Sequence, residues 1–224
     1  MAADVASLAA RLGHDFADPA LLERALTHRS SGSANNERLE FLGDSVLNFV
    51  MSCELYERFP EANEGELSRL RALLVKGDTL ARLAHGLELG EYLRLGSGER
   101  KSGGQRRNSI LADTVEAIIG AIYLDAGLER ASQVIHALYD GELDELPPLS
   151  RLKDPKTRLQ EYLQARGQER PTYEVVRTNG SHHDQNFEVA CIVAPLEEPV
   201  KGTGASRRKA EQAAAEAALE RLEA

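Results

Sequence analysis

The chain has 224 residues, 42% of them hydrophobic, with 27 Lys and Arg against 36 Asp and Glu, for a net charge of −9. That length suits one large or two modest domains with real cores, and no apolar run approaches the ~20 residues of a membrane span. A net negative charge argues against holding a polyanion by bulk electrostatics, so any such partner must be met by a local cluster of cations.

From residue 4 to about 139 the apolar spacing is helical. Helices are predicted over 4–11, 19–27, 36–58, 64–75, 77–86, 109–125 and 128–139, with breaks at Pro19, at Pro60 and at the glycine-rich stretch Gly96–Gly104. Leu39, Leu42, Val46, Val50 and Cys53 form a core stripe on the long third helix, and Gly43 leaves room for close approach of a ligand or neighbour. Residues 141–153, with paired prolines and charge, read as an exposed linker. The period then changes. Asp154 and Pro155 open a helix to about 165, alternation around Tyr173/Val175, Phe187–Val193 and Pro199–Thr203 predicts three short strands, and an alanine-rich helix over 205–222 closes the chain. The expected architecture is therefore multidomain, an all-α unit over 1–140 followed by a small α+β unit over 154–224 of order α-β-β-β-α. The N-terminus lacks a basic flank followed by an apolar signal core. Cys53 and Cys191 sit in separate apolar patterns, so we expect two buried free thiols and a cytoplasmic protein without membrane contact.

Three acidic segments carry the chemistry: residues 36–44 (Asn-Glu-Arg-Leu-Glu-Phe-Leu-Gly-Asp), Glu64-Gly65, and 111–116 (Leu-Ala-Asp-Thr-Val-Glu). Glu40 and Asp44 are four apart and Asp113 and Glu116 three apart, so each pair shares a helix face. Glu37 lies beside the first pair, where alone it would read as part of a solvated face. Ile110, Leu111, Val115, Ile118, Ile119 and Ile122 surround the second pair with apolar positions, and a helix apolar on all sides is normally buried. No Lys or Arg lies three or four residues from any of the four acids, which leaves intrahelical salt bridges out of the account. A buried carboxylate needs a metal or a charge partner. Oxygen-only ligation points to Mg²⁺, with Mn²⁺ able to substitute, and thence to a phosphate ester as substrate.

In the second segment Arg207, Arg208 and Lys209 follow Ser206 at the start of the last helix, where a helix dipole disfavours cations unless an anion binds. The polar stretch 180–185 could project between two strands. Helix, loop and helix start together could touch three successive points on a duplex, as double-stranded RNA is read through 2′-hydroxyls and phosphates. Arg100, Lys101, Arg106 and Arg107 precede the Asp113 helix; they read either as a mobile phosphate-contacting loop or as a solvated turn.

The run Asn36–Ser45 resembles the signature of the ribonuclease III family. The stretches 25–30 (Ala-Leu-Thr-His-Arg-Ser), Glu64-Gly65 and 111–117 are similar to that family's other motifs. The second segment is similar to a double-stranded RNA-binding domain, through Asp154-Pro155-Lys156-Thr157, His183 ahead of Phe187, and the closing alanine-rich helix. The resemblance implies a Mg²⁺-dependent endoribonuclease acting on double-stranded RNA, with Glu40, Asp44, Asp113 and Glu116 as catalytic metal ligands. Glu37 and Glu64 would support substrate placement, and Thr157, Gln160, Glu161, His183, Arg207 and Arg208 would contact RNA. It also implies a homodimer without organic cofactor, cutting each strand once to leave 5′-phosphate and 3′-hydroxyl ends with short 3′ overhangs. Ribosomal precursors and structured messenger RNA are the targets it suggests. Phe41 reads either as dimer contact or as core, and His28 as structural within a helix. Two other classes remain at this point: a catalytically silent RNA-binding regulator, and a metal phosphohydrolase acting on small nucleotides.

Overall fold

A computed structural model describes residues 5–179 and 185–223. The chain forms two compact units that divide between Leu146 and Pro147. The first is helical: α1 (Val5–Leu12), α2 (Pro19–Ala25), α3 (Glu37–Arg58), α4 (Glu64–Leu74), α5 (Gly77–Gly86), α6 (Ser97–Lys101) and α7 (Asn108–Asp144). Local chemistry sets the helix starts. Asp18 accepts from the Ala20 amide ahead of Pro19, and Asn63 and Glu66 cap α4 reciprocally, each side chain taking the other's backbone N–H. In α7 nearly every side chain from Ile110 to Ile122 is buried, as the all-round apolar pattern requires.

Four expectations need correction. Cys53 is exposed, because the buried arc of α3 runs through Leu39, Gly43, Val46, Leu47, Val50, Met51 and Leu55; Cys191 is buried, and both thiols are free. The two helices predicted over 109–125 and 128–139 form one element interrupted at Gly127, whose φ of 79° breaks the ladder. That element continues to Asp144 because Leu143 is buried, and Leu149–Leu152 forms a further turn, α8, so the stretch read as linker is partly helical. The glycine-rich stretch is not a loose loop: it holds α6 and a 3₁₀ turn, with Gly104 buried against Glu99.

The second unit has the expected α-β-β-β-α order. After α8, α9 (Pro155–Gln164) precedes β1 (Thr172–Asn179), β2 (Asn186–Ile192), β3 (Val200–Gly204) and α10 (Arg207–Glu223). The sheet is antiparallel in the order β1-β2-β3, with Tyr173 opposite Cys191 and Val189 opposite Gly202. Both helices cover one face of it, enclosing Leu159, Leu163, Cys191, Val193, Val200 and the small side chains of Ala214, Ala215 and Ala218. Small residues matter here, since a Cβ at Gly202 would fall 2.1 Å from the Ala214 amide nitrogen.

Candidate functional site

The site of the first unit exists because α3 and α7 touch backbone to backbone. A Cβ at Gly43 would lie 1.7 Å from the Glu116 carbonyl oxygen, and one at Gly120 would lie 2.2 Å from that of Leu39. Two glycines, one per helix, thus permit an approach that any side chain would block. The contact brings acids of the two helices together. Glu40, Asp113 and Glu116 each present a carboxylate oxygen within 4.8 Å of the others. His28, Arg29, Asn36, Glu37, Glu99, Arg107, Ser109 and Ile110 complete the cleft.

Its electrostatics are those of a cation site. Burial, then repulsion from Asp44, Asp113 and Glu40, pushes the Glu116 carboxyl up to about 8. Burial and the neighbouring acids raise Glu40, and burial raises Asp113 against the opposing pull of His28 and Arg29. A divalent cation would remove this repulsion, and three convergent carboxylates form the hard oxygen set that Mg²⁺ or Mn²⁺ accepts. The donor set fits a divalent metal.

Folding favours protonated Glu116, so without metal its contribution to stability is present below the ordinary value of 4.5 and is lost as pH rises towards about 8. In chelator, Glu116→Gln should therefore melt progressively higher than wild type as pH rises through that window, and added divalent cation should shrink the difference. Parallel melting curves across the window would contradict the assignment.

The other expected site residues scatter more widely. Asp44 is exposed at the cleft rim, and its Oδ1 accepts from Asn48 Nδ2 at 2.8 Å. It is near enough to repel Glu116 but stands outside the three-carboxylate group. Glu37 lines the cleft 3.7 Å from Arg29. Glu64 does not line the cleft; it opens α4 and accepts from Ser68 at 2.8 Å. His28 is not within a helix: it caps the 3₁₀ turn 29–31, with its Nδ1 accepting from the Ser30 amide. Asn36 is a residue that spacing overlooked. It is 2% exposed in the cleft wall with its Nδ2 unpartnered, and the only hint was its place just ahead of the acidic run.

In the second unit Thr157 and Gln160 of α9 share a concave surface with Arg208 of α10, as well as Lys156, Arg170, Tyr173 and Glu211. Glu161 is exposed and paired with Lys153 at 2.9 Å, outside that surface. Ser206 caps α10 by accepting from Lys209 at 3.3 Å, and Arg207 pairs with Glu211. His183, with the rest of residues 180–184, lies outside the described residues. Lys156, unremarked in the sequence beyond its motif, proves the best-connected cation of this surface.

Comparison with known proteins agrees with both units. Residues 18–142 match the ribonuclease-III-like family and residues 155–222 the double-stranded RNA binding motif. Ribonuclease 3 of Vibrio cholerae is 59% identical over 96% of either chain. Two structures of the ribonuclease III nuclease domain from Campylobacter jejuni superpose with TM-scores of 0.62. They are 43% and 42% identical, spanning 63% and 65% of this chain and 99% of theirs.

Proposed function

Because the chain belongs to the ribonuclease III family, and is thereby an endoribonuclease of double-stranded RNA, we propose that Glu40, Asp113 and Glu116 hold its catalytic metal, with Asp44 joining from the rim. The carrying observation is the convergence of three unpaired, repelling carboxylates from two helices. Mg²⁺ is the proposed ion, with Mn²⁺ able to substitute. Once bound, such an ion makes water acidic enough to act as nucleophile near neutral pH and offsets charge building on the phosphate. The protein's own part is to place the substrate. Arg29 and Arg107 flank the cleft as phosphate contacts, with Arg107 steered by Glu99 at 2.8 Å. Glu37, at the cleft mouth, supports placement of the strand; Glu64, on a separate helix, belongs to an outer contact.

The catalytic and dimerisation domain in this reading is 1–140 and the RNA-binding domain 154–224, joined by 141–153, whose first residues continue α7. Thr157, Gln160, Arg207 and Arg208 meet the RNA, along with Glu161 and His183. The enzyme acts as a homodimer through an apolar face of α3 and α7. Phe41 is 78% exposed, which leaves it no place in the core, and Phe49, Tyr56, Leu124 and Leu128 extend the same kind of surface. The similar nuclease domain of Campylobacter jejuni has structural flexibility in a region involved in dimer formation. Twofold symmetry matches the dyad relation between strands of a duplex, so each subunit cuts one strand. Products with 5′-phosphate and 3′-hydroxyl ends, short 3′ overhangs, ribosomal precursor and messenger RNA targets, and residence in the cytoplasm complete the proposal.

The test is cleavage of a long perfect RNA duplex with and without Mg²⁺, against single-stranded RNA and duplex DNA. Mg²⁺-dependent cutting of the RNA duplex alone, with 5′-phosphate ends, is the expected result. Tight binding without cutting would instead place the chain among silent regulators.

A further inference from the structure

The second unit contains one buried acid among its described residues, Glu211, whose side chain is 12% exposed. It lies on the first turns of α10 and faces two cations. Its Oε2 accepts from Lys156 Nζ at 2.5 Å and its Oε1 from Arg207 Nε at 2.9 Å. Lys156 is held from a second side, with its Nζ 4.4 Å from the centre of the Tyr173 ring. Burial works to raise the Glu211 carboxyl, yet Lys156 and Arg207 hold it below the usual range, so it is charged near neutral pH. Asp154 repeats the arrangement nearby, accepting from Gln212 at 2.6 Å and lying 3.8 Å from Arg208.

Glu211, Lys156, Tyr173 and Asp154 line the same concavity as Thr157, Gln160 and Arg208, and Arg207 adjoins it through its bond to Glu211. A phosphate approaching Lys156 or Arg207 does not meet a free ammonium or guanidinium group. It meets cations already matched by a carboxylate a few ångströms behind them. A cation so paired neutralises a phosphate less fully, so fewer of the cations condensed on the duplex are released, and the carboxylate itself repels the RNA backbone.

We propose that Glu211 is an internal counter-ion that limits the affinity of this domain for duplex RNA, by occupying Lys156 and Arg207 so that RNA phosphates must compete for them. The proposal rests on the reading of this surface as the RNA-binding face. Its consequence for the reaction is that duplex RNA is held weakly by the second unit, which favours release of cut product over tight retention.

The test measures binding of a labelled perfect RNA duplex to the full chain in chelator, by fluorescence anisotropy across a salt series. Glu211→Gln should bind about five- to tenfold more tightly at physiological ionic strength, with a log–log salt dependence steeper by about one to two. Lys156→Met or Arg207→Met should abolish most of that gain in the Glu211→Gln background, each costing more affinity there than in the wild type. Unchanged or weaker binding by a Glu211→Gln protein that melts like wild type would overturn the proposal. Should that variant fail to fold, Glu211→Met, which keeps the volume of the side chain without its charge, takes its place: tighter binding supports the proposal, and unchanged or weaker binding overturns it. A wild-type chain that ignores duplex RNA altogether is a separate failure, that of the binding face itself.

Discussion

Glu116→Gln should reduce cleavage of duplex RNA by at least about a thousandfold while leaving duplex binding and the fold intact. Glu116 is the site's most strongly perturbed acid, on a helix otherwise walled by Ile110, Leu111, Val115 and Ile119. Gln keeps its shape and removes one of the negative charges a divalent cation requires. The same loss of charge relieves the repulsion with Asp44, Asp113 and Glu40, so the metal-free variant should melt at or above the wild-type temperature. That combination separates a ligand from a structural residue, which would lose stability and activity together. Single-turnover cleavage, gel shift and thermal melting read the three quantities. Retained turnover would mean that the cation sits elsewhere.

Gly43→Ala should do the reverse, damaging the scaffold and the site at once. The added Cβ meets the Glu116 carbonyl oxygen at 1.7 Å, its carbon at 2.6 Å and the Gly120 nitrogen at 2.9 Å. All three atoms are backbone, so no rotamer change relieves the clash and α3 must move away from α7. Overpacking of this kind costs about 1–3 kcal/mol or more, which for a chain of this size lowers the melting temperature by roughly 2–12 °C. Separation of the helices also pulls Glu40 away from Asp113 and Glu116, so cleavage should fall and the Mg²⁺ needed for half-maximal rate should rise. Gly141→Ala is the control. Its added Cβ meets nothing within 4 Å, and Ala at a helical position should be neutral or stabilise by about 0.4–1 kcal/mol. Equal behaviour of the two variants would show that the tight crossing does not hold the site.

Much of this was legible in the chain alone. Spacing of four and three residues put Glu40 with Asp44 and Asp113 with Glu116 on shared helix faces, and the surrounding isoleucines announced burial. Asp154 and Pro155 marked the start of α9, and the change from helical to alternating period placed the three strands. Period also misled where a local pattern met a tertiary surface. Cys53 fits the spacing of the core stripe of α3 but lies on its exposed side, beside a groove with Leu128 and His136. Phe41 was ambiguous for the same reason, because an apolar side chain facing outward has the same period as one facing in.

The sequence by itself determined which residues share a face of each helix, where the elements begin, and that several acids lack local charge partners. Those properties depend on covalent spacing and on helix geometry, which act within a few residues. Only the tertiary structure decided which acids meet: three converge through the Gly43 and Gly120 crossing, Asp44 stands at the rim, and Glu64 is elsewhere. It likewise decided that Glu211 closes on Lys156, 55 positions away. Contacts between elements depend on how closely two backbones can approach, and that is set by packing rather than by the period of either one.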